Sequence, residues 1–284
     1  MIILVIVKMQ NEFDKEIKYK LFRTINEILH PTISKKNISD YRIIIEESIL
    51  PVRVFYPKKV TGIHNIIIYI HGNGKVTKCT GEYSNICKNI VNNTNYLLIA
   101  IDYEIEKNEY KKIYEEIYNT VKYLYNGLKI NGIESDNIVL MGDSTGANII
   151  TGINYMNHNE IEITKEILSY PVLKSFRDKK TVEALHLPQV KDIEKYFNYI
   201  SPKEADKDEL LNPLSRKEGT VPKTLIITGK VDVLKEDAKD YYEKFCQKTD
   251  SKYIEFPFSA HGFLKKIDDE YETELFKEVN QFLK

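Results

Sequence analysis

Three runs, residues 66–70, 96–101 and 138–141, are apolar at every position, and each ends at a small or polar residue: His71-Gly72, Asp102 and Gly142. A strand with one wet face alternates apolar and polar residues. A run without alternation has to be covered on both faces. Helix-period stretches lie between the runs. Residues 110–125 place Tyr110, Ile113, Tyr114, Ile117, Val121 and Leu124 on one stripe, which reads as core packing. Strands alternating with helices imply an α/β fold, a mostly parallel central sheet flanked by helices.

The remaining segments fit around that sheet. Residues 11–29 carry Phe13, Ile17, Leu21, Ile25 and Ile28 at helical spacing, stopped by Pro31. Strand-like runs follow at 41–46 and 52–56 with Pro51 between them, and again at 166–170, 224–228 and 253–257. A last helix is expected over about 264–283. Residues 174–220 interrupt the alternation with charged, helix-prone sequence. Together with about residues 1–40 they are expected to form a helical cap over the carboxyl edge of the sheet, where such sheets bind ligands. With 284 residues, 42% of them hydrophobic, residues 1–284 read as a single domain with these cap elements.

Lys and Arg total 41 and Asp and Glu total 42, and no long basic block occurs, so a nucleic-acid partner is not expected. Cys79, Cys87 and Cys246 form no CxxC pair, and their odd number argues against a disulfide framework. Reduced thiols suit a cytoplasmic location. The apolar run at residues 1–7, followed by Lys8, lacks a basic n-region and a small-residue cleavage site, and falls far short of the ~20 residues of a membrane helix. It reads as a short strand or as a segment packed on the cap, without stable membrane insertion.

The most informative local sequence is Gly142-Asp143-Ser144-Thr145-Gly146, between an expected strand and an expected helix. A serine on so sharp a turn has a strained backbone, and small residues two positions either side avoid clashes. The turn lifts the hydroxyl above the sheet at a helix N-terminus, which favours developing negative charge. A hydroxyl needs a base to become a nucleophile. Of six histidines, His261 lies in a loop between an expected strand and the last helix, free to hang over the sheet edge. An acid to orient it is expected on a loop after a late strand. Asp232 fits, with Asp237 as the fallback. Asp237 and Asp240 are otherwise expected to be solvated. Gly72 and Asn73 could supply backbone N–H groups to an oxyanion, together with the N–H of Thr145. A phosphate-loop reading of Gly72–Lys75 fails on spacing, and no metal-ligand spacing occurs.

These motifs together resemble the hormone-sensitive-lipase-like branch of the α/β-hydrolases, which includes bacterial esterases and the arylacetamide deacetylases. That branch shows His-Gly-Gly-Gly, Gly-Asp-Ser-Ala-Gly-Gly-Asn, Asp-Pro-Leu and His-Gly-Phe in that order. This chain has His71-Gly72-Asn73-Gly74, Gly142-Asp143-Ser144-Thr145-Gly146-Ala147-Asn148, Asp232-Val233-Leu234 and His261-Gly262-Phe263. Asn212-Pro213-Leu214-Ser215 is similar to the branch's Ser-Pro-Leu stretch, so the resemblance runs from about residue 60 to the end. Asn73 replaces a glycine and Thr145 an alanine. Asp102-Tyr103 match the branch's Asp-Tyr, but the Arg-Leu-Ala-Pro-Glu that follows there is absent.

The resemblance implies an α/β-hydrolase fold and a serine hydrolase of carboxylic esters that needs no cofactor. Ser144 would be nucleophile, His261 base and Asp232 the orienting acid, with Gly72, Asn73 and Thr145 as oxyanion donors. The partner would be a small-molecule ester, and Thr145 would favour short acyl chains. An amidase or formamidase, or a lipase, could use the same residues, and a non-catalytic binding protein could occupy the same scaffold. Oligomeric state is not legible.

Overall fold

The computed structural model describes residues 4–7, 15–30, 38–45, 48–58, 62–72, 81–104, 106–174, 188–201, 207–265 and 269–284. Among them nine strands form one sheet: β1 (Leu4–Val7), β2 (Ile38–Ile45), β3 (Ser48–Phe55), β4 (Ile66–Ile70), β5 (Leu97–Ile101), β6 (Ile138–Asp143), β7 (Lys165–Ser169), β8 (Lys223–Gly229) and β9 (Lys252–Phe256). Their spatial order is β1-β2-β3-β5-β4-β6-β7-β8-β9. β3 runs antiparallel to β2 and β5, and every other neighbouring pair is parallel. The helices are α1 (Lys15–Leu29), α2 (Glu82–Thr94), α3 (Tyr110–Ile130), α4 (Thr145–Met156), α5 (Pro188–Ile200), α6 (Lys235–Tyr241) and α7 (Asp269–Leu283).

The three apolar runs became the middle of the sheet for the expected reason. In β4, Ile66, Ile68 and Ile70 enter the core shared with α3 and α4, while Ile67 and Tyr69 enter the core shared with α2 and α7. β5 and β6 divide in the same way, with Leu97 and Leu140 on one side and Leu98 and Met141 on the other. Each fully buried Ile or Leu contributes roughly 1.5–3 kcal/mol of transfer free energy. Exposing either face of these strands is therefore unaffordable.

After β4 the chain moves outward to β5, then returns across β4 to β6 and continues the other way. The crevice outside the carboxyl ends of β4 and β6 is thus the point where strand order reverses, the default ligand site of an open α/β sheet. Gly72 follows β4 and Ser144 follows β6, so this crossover brings the two together from 72 residues apart in the chain.

Two expectations change. Pro51 does not separate two strands but lies within β3, opposite Arg42 of β2. Its carbonyl accepts the Asp102 N–H at 2.8 Å, so the missing proline donor leaves that bond intact. The described part of residues 1–40 also does not lie over the carboxyl edge. β1 extends the sheet at its far edge, and α1 packs on α3. Leu21 and Ile25 sit where a Cβ on Gly127 would approach them to 2.7 and 2.5 Å, and Asn131 Nδ2 donates to Phe22 O at 3.3 Å. Gly127 and Asn131 precede β6, at the opposite end of that strand from Ser144. The small glycine draws the apolar stripe of α1 onto this end of α3.

Within 174–220, residues 175–187 and 202–206 lie outside the described residues. α5 sits at the carboxyl edge. The Asn108 N–H, in the loop after β5, donates to Tyr199 O at 2.9 Å, and Ile193, Tyr196, Phe197 and Ile200 of α5 are buried. No helix among the described residues is long and apolar enough to cross a membrane.

Candidate active site

Ser144 occupies the turn between β6 and α4 with φ 52° and ψ −117°, a left-handed backbone that a non-glycine residue enters only when its surroundings hold it there. The Ser144 N–H donates to Ser169 O at 2.9 Å, and Ser144 O accepts N–H groups from Asn148 and Val172, both at 3.2 Å. The flanking glycines are required by contact. A Cβ on Gly146 would lie 2.1 Å from Ile70 O, and one on Gly142 would lie 2.9 Å from the same oxygen. The α4 N-terminus therefore presses directly on the end of β4.

The loops after β8 and β9 are fastened to each other. Lys230 N–H donates to Phe256 O at 2.8 Å and Val231 N–H to Ser259 O at 3.2 Å. Gly229 lies so close to Ser259 that a Cβ there would be 2.0 Å from Ser259 O. Asp232 and His261 are carried by these loops. Asp232 Oδ1 accepts the Leu234 N–H at 2.9 Å, leaving Oδ2 for His261 Nδ1 at 3.1 Å. His261 Nε2 lies 2.9 Å from Ser144 Oγ. Because the buried carboxylate can only accept, the proton sits on Nδ1 and the Nε2 lone pair faces the serine hydroxyl. Three expected residues thus fall on one hydrogen-bonded line.

The other expected residues are placed differently from one another. The N–H of Thr145 opens α4 beside Ser144, where no intrahelical acceptor exists for it. Its side chain is buried, its hydroxyl lies near that of Tyr196, and neither hydroxyl makes a hydrogen bond among the described residues. Gly72 is a correction. Its N–H donates to Asp143 Oδ1 at 2.8 Å and is not turned toward an oxyanion. Asn73 lies outside the described residues. The fallback Asp237 is not solvated. It is buried, its Oδ1 lies 2.5 Å from Lys174 Nζ, and burial pushes its carboxyl up from the usual range. It makes no bond to His261.

Asp143 was legible only as a motif letter, yet it organises the crevice. Its carboxylate is almost fully buried and accepts Tyr69 OH at 2.6 Å, the Gly72 N–H at 2.8 Å and Tyr170 OH at 3.3 Å. Burial pushes its pKa up, and the bonds from Tyr69 and Gly72 pull it back. His71 is buried beside it. Its Nδ1–H donates to Gly72 O at 2.8 Å, its ring stacks on Tyr103 at 4.5 Å, and burial lowers its pKa. The Tyr103 hydroxyl closes the turn onto His71 O at 2.6 Å. Among the described residues no group of His, Cys, Asp and Glu is placed to hold a metal ion.

The chain is similar to known proteins over most of its length. An arylesterase of Saccharolobus solfataricus is 21% identical, over 81% of this chain and 78% of its own. A viral relative named for the same fold, from Acanthamoeba polyphaga mimivirus, is 20% identical over 77% of this chain, which spans 66% of its length. Among solved structures, a thermostable carboxylesterase cloned from a metagenomic library superposes with a TM-score of 0.75 at 20% identity, covering 95% of this chain and 97% of its own. The family described as the alpha/beta hydrolase fold matches residues 67–265, more than half of the chain, and the chain belongs to that family.

Proposed function

We propose that this protein hydrolyses carboxylic esters through Ser144, His261 and Asp232. The observation that carries the proposal is the single line from Ser144 Oγ through both ring nitrogens of His261 to the Asp232 carboxylate, at 2.9 and 3.1 Å. Ser144 attacks the ester carbonyl as Nε2 takes its proton, and Asp232 holds the tautomer and stabilises the imidazolium. The protonated ring then gives its proton to the departing alkoxide, leaving an acyl-enzyme. Water deprotonated by the same nitrogen releases the acid.

The tetrahedral oxyanion falls to the N–H of Thr145, at the positive end of α4, and to the N–H of Asn73. Gly72 contributes indirectly, its N–H fixed by Asp143 at the end of β4. α5 serves as the cap. Tyr196 of that helix and Tyr103 both lie near the Thr145 hydroxyl, which supports a short acyl chain. The buried thiols Cys87 and Cys246 support a reducing, cytoplasmic setting.

The test is nitrophenyl acetate turnover by wild type and Ser144→Ala, with stoichiometric labelling by a serine-directed phosphonate. The alanine variant folds, resists labelling and loses roughly a million-fold in kcat. Comparable turnover by a folded Ser144→Ala variant would sink the proposal.

A further inference from the structure

The pleat of β7 is broken at its end. Ile167 faces the α2 and α7 side of the sheet and Leu168 the α3 and α4 side. Regular alternation would turn residue 170 toward the Leu168 side. Tyr170 instead lies in the core with Ile167, Tyr69 and Phe263, because its φ of 36° reverses the chain locally. Three backbone bonds hold this left-handed step: Ser144 N–H to Ser169 O at 2.9 Å, Tyr170 N–H to Ile227 O at 2.6 Å and Val172 N–H to Ser144 O at 3.2 Å. The residue is thereby fixed between the strand that carries Ser144 and the strand that leads to Asp232.

What the reversal achieves is visible in the contacts of the ring. It meets the His261 imidazole edge-on, with centroids 5.0 Å apart and planes at 66°, and Phe263 at 5.3 Å and 65°. Its hydroxyl reaches Asp143 Oδ2 at 3.3 Å, and the side chain is fully buried. The bonds at Nδ1 and Nε2 of His261 run roughly along one line through the ring. They fix its position but leave it free to rock about that line. A rigid ring edge against its flank removes this freedom.

We propose that Tyr170 is a positioning residue for His261. It sets the tilt of the imidazole and, through its hydroxyl on Asp143, ties that tilt to the carboxylate that holds Gly72. The base and the Gly72 end of β4 are then registered to one buried carboxylate. The inference rests on the reading of Ser144, His261 and Asp232 given above. A left-handed backbone at a non-glycine residue persists only where the surroundings over-determine it, and such residues cluster at functional sites.

The experiment compares Tyr170→Leu and Tyr170→Phe with wild type, measuring kcat and KM separately across pH, with melting temperature and phosphonate labelling as controls for folding. Tyr170→Leu removes the ring edge. Its kcat falls about tenfold to a hundredfold, the scale of a slightly misplaced reacting group, while KM changes less than about threefold. The acid limb of its kcat profile moves to higher pH, because water reaching the opened flank solvates the imidazolium. Tyr170→Phe keeps the edge and loses only the tether, so its kcat falls by about threefold to tenfold and its acid limb stays in place. A folded Tyr170→Leu whose activity per labelled serine and acid limb match wild type overturns the proposal. Should Tyr170→Leu fail to fold, Tyr170→Phe decides: a lowered kcat at constant KM supports the role, and an unchanged kcat overturns it. Turnover by Ser144→Ala would remove the underlying reading. With that variant inactive and the Tyr170 variants at wild-type rate, only the positioning role falls.

Discussion

The backbone N–H of Gly72 donates to the carboxylate of Asp143 at 2.8 Å, joining the end of β4 to the residue before Ser144. A Cβ at Gly72 would lie 2.6 Å from Asp143 Oδ2, 2.8 Å from Asp143 O and 3.0 Å from Ser144 Cβ. All three atoms belong to the Ser144 turn, and the Asp143 backbone oxygen and Ser144 Cβ have no room to retreat. Gly72→Ala is therefore expected to lower kcat by about a hundredfold or more and to cost about 1–3 kcal/mol in stability. Ester kinetics and a urea melt check both, and a variant that keeps wild-type kcat would show that the turn can relax.

The choice between the two acids of the late loop is testable by paired substitution. Asp232→Asn leaves the fold intact and lowers kcat by roughly ten-thousand-fold, because the imidazole is presented in the wrong tautomer. Asp237 faces Lys174, not His261, so Asp237→Asn keeps kcat within about tenfold, well short of the triad-scale loss. The opposite pattern would reassign the acid.

Glu166 makes stability depend on pH. It is fully buried, and burial pushes its pKa from 4.5 to about 7. Its Oε1 lies 2.8 Å from Thr224 Oγ1, whose hydrogen also has Pro222 O as an acceptor at 2.8 Å. Its Oε2 accepts Asn154 Nδ2 at 2.6 Å. A protonated Glu166 satisfies every atom, donating to Thr224 while Thr224 donates to Pro222. Because the folded pKa lies above the unfolded one, this stability is present below pH 4.5 and is lost as pH rises through 7. The shift corresponds to about 3 kcal/mol. Glu166→Gln reproduces the protonated pattern, so its melting temperature gains on wild type from pH 5 to pH 8. A constant difference between the two would refute the assignment.

The N-terminal helix is expected to act on stability alone. In Gly127→Val the added side chain meets Leu21 and Ile25, which a Cβ at this position already approaches to 2.7 and 2.5 Å. The expected loss is about 1–3 kcal/mol from overpacking, with kcat per folded molecule unchanged, since Gly127 lies at the far end of β6 from Ser144. A fall in kcat without a fall in stability would return α1 to the cap.

The proposed short-acyl preference rests on Tyr196 lying near Thr145. kcat/KM for nitrophenyl esters should be highest for short chains and fall with length. An apolar channel would instead add up to ~0.8 kcal/mol per buried methylene. A maximum beyond about eight carbons overturns the short-chain expectation.

The strands of the central sheet were legible because burial on two faces leaves a local mark, and 66–70 is apolar at every position and became β4 without shift. The turn at Ser144 was legible because Gly142 and Gly146 answer to a contact closer than any side chain allows. The order of Ser144, Asp232 and His261 could be read because each follows a strand. What the tertiary structure decided were the meetings between distant segments. The Gly72 N–H belongs to Asp143, 71 residues away. Asp237 is buried and pairs with Lys174. α1 lies against Gly127, although its own stripe said only that some face was covered. Tyr170 left the face that alternation gives it, through a backbone step that the residue itself disfavours. Periodicity is a property of neighbouring residues and can be read along the chain. These partners follow from the order of strands in the sheet, which a local pattern of apolar residues does not encode.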